Sequence, residues 1–136
     1  MKSKLKIFAA ALCFIVIGCS RRPEGNKIQI ENKLNKNIIC LLGYNYPDLT
    51  FKFLDKRILK NLPQFAVSPK ETKAIDTLGL CDKQIWDTHI HHNLLMLFVF
   101  DKDKVLAGAT LEGALINRYY FSYFQVMNTN GVIKVD

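Results

Sequence analysis

Leu94-Leu95-Met96-Leu97-Phe98-Val99-Phe100 is an unbroken apolar run, preceded by Asn93 and followed by Asp101-Lys102-Asp103-Lys104. Spanning a bilayer takes roughly 20 apolar residues, so this run is too short to be a transmembrane helix. Apolar residues at every position, with no alternation, predict a central strand covered on both faces. The rest of the chain must then supply two covering layers.

Upstream, Lys27 to Glu31 alternates polar and apolar residues and predicts a half-buried strand. Asn32 to Asn37 is turn-rich, Ile38 to Tyr44 reads as a strong strand, and the pair predicts an opening hairpin. Asn45-Tyr46-Pro47-Asp48 is a turn. Leu49 to Leu54 continues extended, and Asp55 to Leu62 reads as a helical turn or an irregular loop. Glu71 to Ile75 follows as an edge strand shielded by lysines. Cys81 to His92 is the one segment with helical spacing, through Ile85, Trp86 and His89 or Ile90.

Downstream, Asp101 to Lys104 turns the chain and Val105 to Ala107 returns, while Gly108 to Ile116 is ambiguous. Arg118 to Met127 is an aromatic-rich stretch, Asn128-Thr129-Asn130-Gly131 resembles a hairpin loop, and Val132 to Val135 alternates as a last strand. Short, closely spaced strands predict a mainly β domain. The expected form is an antiparallel β-sandwich of immunoglobulin-like kind with one short helix, preceded by a signal-peptide helix.

That leading helix falls in a different kind of segment. Lys2, Lys4 and Lys6 form a basic start, and Ile7 to Ile17 is apolar throughout. This has the length of a secretory h-region. The junction Val16-Ile17-Gly18-Cys19 resembles the lipobox of type II signal peptides. That resemblance implies cleavage before Cys19 and acylation of its thiol, with palmitate-like chains holding the protein to membrane lipid. One acyl chain binds marginally, whereas several anchor stably. The expected organisation is a signal peptide over 1–18, a lipidated Cys19 with a flexible tether over 19–26, and one β-rich domain over 27–136. Ser20-Arg21-Arg22 after the cysteine is basic, which points to a cell-envelope protein on the outer membrane facing the periplasm.

Losing residues 1–18 from 136 leaves 118, an ordinary single domain, and takes three lysines from the net charge of +7, leaving +4. The remaining basic residues are scattered among acids, so a nucleic-acid partner is not expected. No cofactor is called for. Cys13 leaves with the signal and Cys19 carries lipid, so Cys40 and Cys81 remain. An exported compartment permits a Cys40–Cys81 disulfide, whose loop of about 40 residues would contribute roughly 3–4 kcal/mol. The alternative is two thiols packed as small hydrophobes.

The domain also resembles a set of small lipoproteins of the Bacteroides group that carry a domain of unknown function. The shared pattern lies in Asn35-Lys36-Asn37, Tyr44-Asn45-Tyr46-Pro47-Asp48, Ser68-Pro69, Trp86, Phe98-Val99-Phe100-Asp101 and Arg118-Tyr119. Relatives often carry a second Trp near the C-terminus, whereas Trp86 is the only one here. The resemblance implies an anchored, β-rich domain and brings no activity with it.

Three groups of residues are candidates for function. Tyr44, Tyr46 and Asp48 around Pro47 suit glycan or peptide contact, because aromatic rings beside a carboxylate offer both stacking and hydrogen bonding. Tyr120 and Tyr123 belong to an aromatic stripe whose exposed members would mark an interface. His89, His91 and His92 with Asp87 form a candidate metal set, although one helical turn cannot supply the four ligands of a structural zinc site. Catalysis has no support: Gly-x-Ser-x-Gly is absent, and Ser68, Ser122, Cys40 and Cys81 lack flanking signatures. The expected function is a membrane-anchored, non-enzymatic domain that contacts another envelope protein or a glycan. A metal-handling or sensing lipoprotein and an envelope hydrolase are the alternatives.

Overall fold

The computed structural model describes residues 27–50 and 61–136. The expected signal peptide, Cys19, the expected tether and most of the 49–62 readings lie outside the described residues. The central run forms β5 (Leu95–Asp101), whose first six residues are all buried. It pairs antiparallel with β2 (Ile38–Gly43) and β6 (Leu115–Phe121), and β3 (Ala66–Val67) pairs with β2 in the order β3-β2-β5-β6. A second sheet has the order β4-β1-β7, with β4 at Thr72–Ala74, β1 at Gln29–Asn32 and β7 at Val132–Val135. The described residues also contain four short α-helices, α1 (Lys83–His89), α2 (Lys102–Leu106), α3 (Leu111–Ala114) and α4 (Tyr123–Asn128), and 3-10 turns at Leu62–Phe65 and His91–Asn93. This is a small mixed α/β domain.

The strand prediction for β5 holds, and the packing gives the reason. Leu95, Leu97 and Val99 join Ile38 and Cys40 of β2, Ile30 of β1, and Ile133 and Val135 of β7 in one apolar core, which Trp86 and Val126 close. Met96, Phe98 and Phe100 point the other way, onto a second core with Ile39, Leu41, Leu62 and Ala114. The central pair β2 and β5 is thus covered on both faces, whereas the edge strand β6 stays partly exposed. Each fully buried Leu or Phe contributes roughly 1.5–3 kcal/mol.

Several expectations are corrected. β1 and β2 are not a hairpin, because they lie in different sheets. Buried Asn32 builds a corner between them: its side-chain amide donates to the Lys36 and Val67 carbonyls at 2.9 and 3.0 Å, and its oxygen accepts from Leu34 N at 3.0 Å. The pairing is not wholly antiparallel either, since β1 and β7 run parallel with Ile30 opposite Ile133. A single helix was also too few. Asp101 does not merely turn the chain; its carboxylate accepts from Asp103 N and Lys104 N and caps α2. Ser122 divides the aromatic stretch into β6 and α4 through a capping box with Gln125. Asn130 and Gly131 accordingly end a helix rather than a hairpin, with φ of 53° and 77°.

β4 is an edge strand as expected, although its lysine does more than shield. Lys73 Nζ donates to the carbonyls of Gln64 and Ala66, each at 2.9 Å, and so ties the edge of one sheet to the edge of the other. No helix among the described residues is long and apolar enough to cross a membrane.

Candidate binding surface

Strand register brings together two of the aromatic candidates. Gly43, the last residue of β2, lies opposite Met96, and Met96 lies opposite Tyr120 on β6. A Cβ on Gly43 would sit 2.7 Å from the Phe98 ring, so glycine lets the end of β2 approach β5 closely. Beyond it the chain turns, with Asp48 N donating to Asn45 O at 2.8 Å and the Asp48 carboxylate accepting from Thr50 N and Oγ1 at 2.9 and 2.6 Å. The Tyr46 ring then meets Tyr120 edge-on, with centroids 5.9 Å apart and planes at 78°. His92 approaches Tyr46 at 6.5 Å and 79°. Tyr120 remains 40% exposed and His92 is exposed, so the group presents ring edges and faces to solvent.

His92 reaches this position because α1 ends early. Asp82 caps its start by accepting from Gln84 N and Ile85 N, and Ile90 leaves the helix in an extended conformation. His91 N donates to Tyr44 O at 3.0 Å, and His92 adopts a left-handed backbone with φ 54°. Three histidines that are near neighbours in sequence therefore follow different trajectories. His89 Nδ1 contacts Ile85 O at 3.0 Å, and Asp87 forms an ion pair with Lys83. Among the described residues, no three His, Cys, Asp or Glu side chains lie close enough together to hold a metal ion. The proposed His89/His91/His92/Asp87 set does not converge.

The remaining candidates face elsewhere. Tyr44 packs against the core between the sheets, where burial, reinforced by the Asp76 charge, pushes its phenol up to about 12. Tyr123 stands edge-on to Trp86 at 5.5 Å, donates its hydroxyl to Cys81 O at 3.0 Å, and carries Lys83 Nζ 5.4 Å above its ring. It is half-buried scaffold rather than part of the Tyr46 group. Cys40 and Cys81 are both free thiols, so the disulfide alternative is not realised. Burial raises the Cys40 thiol to about 12, and burial together with Asp76 raises that of Cys81. Neither is poised as a thiolate nucleophile.

Sequence reading passed over Asp76. This carboxylate is 3% exposed and accepts from Leu78 N, Gly79 N, Leu80 N and Ile28 N at 2.7, 3.0, 2.6 and 3.3 Å. The signal was present in Asp76-Thr77-Leu78-Gly79, an aspartate followed by a glycine-containing turn. Two shallow clefts flank the three-stranded sheet. One of about 340 Å³ is lined by Lys27, Gln64, Phe65, Ile75, Asp76 and Thr77; the other, of about 360 Å³, lies between Phe121, Gln125 and Ile133. The chain matches no protein-family model, no curated protein and no solved structure.

Proposed function

We propose that this protein is a lipid-anchored lipoprotein of the bacterial cell envelope, of the Bacteroides-group type, whose domain binds a partner without catalysing a reaction. The anchor reading is supported by the basic start, the apolar run and the Val16-Ile17-Gly18-Cys19 junction. We further propose that the domain is an immunoglobulin-like sandwich elaborated by helices. Its seven strands divide into sheets of four and three that share one core.

The observation that carries the binding reading is the convergence of Tyr46, Tyr120 and His92 on one partly exposed surface. Offset, solvent-facing rings with polar tips suit a sugar ring or an aromatic-rich protein segment. The partner is an envelope protein or a glycan, and the face of the outer membrane is the periplasmic one.

Two measurements test this. Cys19→Ser is expected to abolish acylation and move the protein from the membrane to the soluble fraction; retention in the membrane would refute the anchor. A photo-crosslinking residue at position 120 is expected to give discrete envelope adducts that the same residue at exposed Leu106 does not. Identical patterns at both positions would refute the surface.

A further inference from the structure

We propose that the end of the domain where the chain enters at Lys27 is a membrane-contact face. Phe124 and Leu78 rest there at the headgroup–acyl boundary of the bilayer that holds Cys19. This rests on the lipid-anchor reading above.

The contacts gather these residues at one end. Gln29 N donates to Gly131 O at 2.8 Å, and a Cβ on Gly131 would lie 3.4 Å from Lys27 O and 2.9 Å from Cys81 Sγ. Cys81 O receives the Tyr123 hydroxyl, and Tyr123 adjoins Phe124 with centroids 6.0 Å apart. On the other side, Asp76 links Ile28 N to Leu78 N and so fixes the Leu78 turn beside the entry point. Phe124 is 71% exposed and Leu78 37%. The packing of α4 does not require this exposure, because Val126 is its buried residue and Ser122 with Gln125 sets its start. Lys83 Nζ lies over the neighbouring Tyr123 ring, and an exposed apolar ring with basic side chains nearby is an arrangement that suits a membrane interface.

The charges at this end are compatible with that contact. Lys27 and Lys83 are exposed. Asp87 is paired with Lys83, and the carboxylate of Asp82 is turned onto the first turn of α1, where it accepts from Gln84 N and Ile85 N. Toward the other end of β1, Lys36 bonds Asp101 at 3.2 Å and Lys102 N donates to Asn37 O where α2 begins; the exposed Leu106 of that helix is an apolar position away from the Lys27 entry.

The tether decides the occupant. Residues 19–26 can extend at most about 28 Å, so the Lys27 end stays close to the membrane surface whatever the domain does. A short tether also holds the face at an effective concentration in the millimolar range, at which weak apolar contact is enough to set orientation.

The test uses the lipidated full-length protein in phosphatidylethanolamine/phosphatidylglycerol vesicles with brominated acyl chains. Phe124→Trp and Leu106→Trp each add one fluorophore to the common buried Trp86. Trp at 124 is expected to be quenched about threefold more strongly than Trp at 106, with blue-shifted emission, as for aromatics at an interface. Equal quenching would overturn the proposal. On unmodified protein, amide exchange over 123–126 is expected to slow on vesicles, and unchanged exchange would count equally against it. If intact mass shows no acyl group on Cys19, the anchor reading fails separately. Coupling that thiol to a maleimide lipid then repeats the same contrast, and the 124/106 ratio still decides the orientation.

Discussion

Asp76→Ala removes a buried carboxylate on which the entry of the chain and the 76–80 turn both depend. The carboxylate holds four backbone N–H groups, and the bonds from Ile28 and Leu80 are buried. Hydrogen bonds to a charged group contribute roughly 1.5–3 kcal/mol each, and orphaned buried donors cost about as much. Leu78 N and Gly79 N are only part-buried and can regain water, so their loss counts for less. The 3.3 Å bond from Ile28 is long and contributes at the low end. The expected destabilisation is about 3–5 kcal/mol, against a total stability on the order of 5–15 kcal/mol. In urea, with a slope of about 1.5 kcal/mol per molar, the midpoint falls by roughly 2–3 M at unchanged slope. Asp76→Asn is expected to fall between wild type and alanine, because one side-chain oxygen is replaced by an amino group facing N–H donors. A loss below about 1 kcal/mol for the alanine variant would refute this account of the 76–80 turn.

Two other perturbations follow from the same geometry. Gly131→Ala forces a side chain onto a residue at φ 77° and places its Cβ 2.9 Å from Cys81 Sγ; it is expected to cost roughly 1–3 kcal/mol by thermal unfolding, and Cys81→Ala in the same chain is expected to recover part of that. Stability is expected to decline under alkaline conditions, because Cys40 and Tyr44 rise from 9.0 and 10.0 to about 12 in the folded state. Both stay protonated when folded and ionise when unfolded, so their contribution is complete below about pH 9 and is lost as pH climbs toward 12. Each is worth about 1.4 kcal/mol per pH unit within that window. Tyr44→Phe should flatten the decline measured by chemical denaturation across pH 10–12, the interval between its ordinary and folded values; an unchanged slope would contradict the burial account.

The central strand was legible because its apolarity is local: a run of consecutive apolar side chains demands cover on both faces, and the six from Leu95 to Phe100 receive it in β5. The start of α1 was legible for a similar reason, since Asp82 and the Ile85–Trp86 spacing act within one turn. The capping box at Ser122 was equally visible in Ser122-x-x-Gln125, but the run of aromatics around it reads as continuous strand unless that cap is given priority. What escaped was pairing. Nothing in Lys27 to Asn37 distinguishes a hairpin from a corner, because Asn32 chooses the corner by bonding Val67, which is 35 positions away.

The sites divide along the same line. The proposed anchor segment belongs to the sequence alone, because the processing enzymes such a signal addresses would read a linear stretch. The histidine cluster looked like a site because its members are adjacent in the chain, yet a left-handed His92 sends its ring to Tyr46 instead. Tyr46 and Tyr120, 74 positions apart, become neighbours only through the β2–β5–β6 register, and Lys27, Leu78 and Phe124 share one end only because β1 runs beside β7 and Asp76 bridges the entry. Local chemistry set the elements. Which surfaces exist was decided by long-range pairing, since side chains far apart in the chain meet only after the backbone hydrogen bonds have chosen their register.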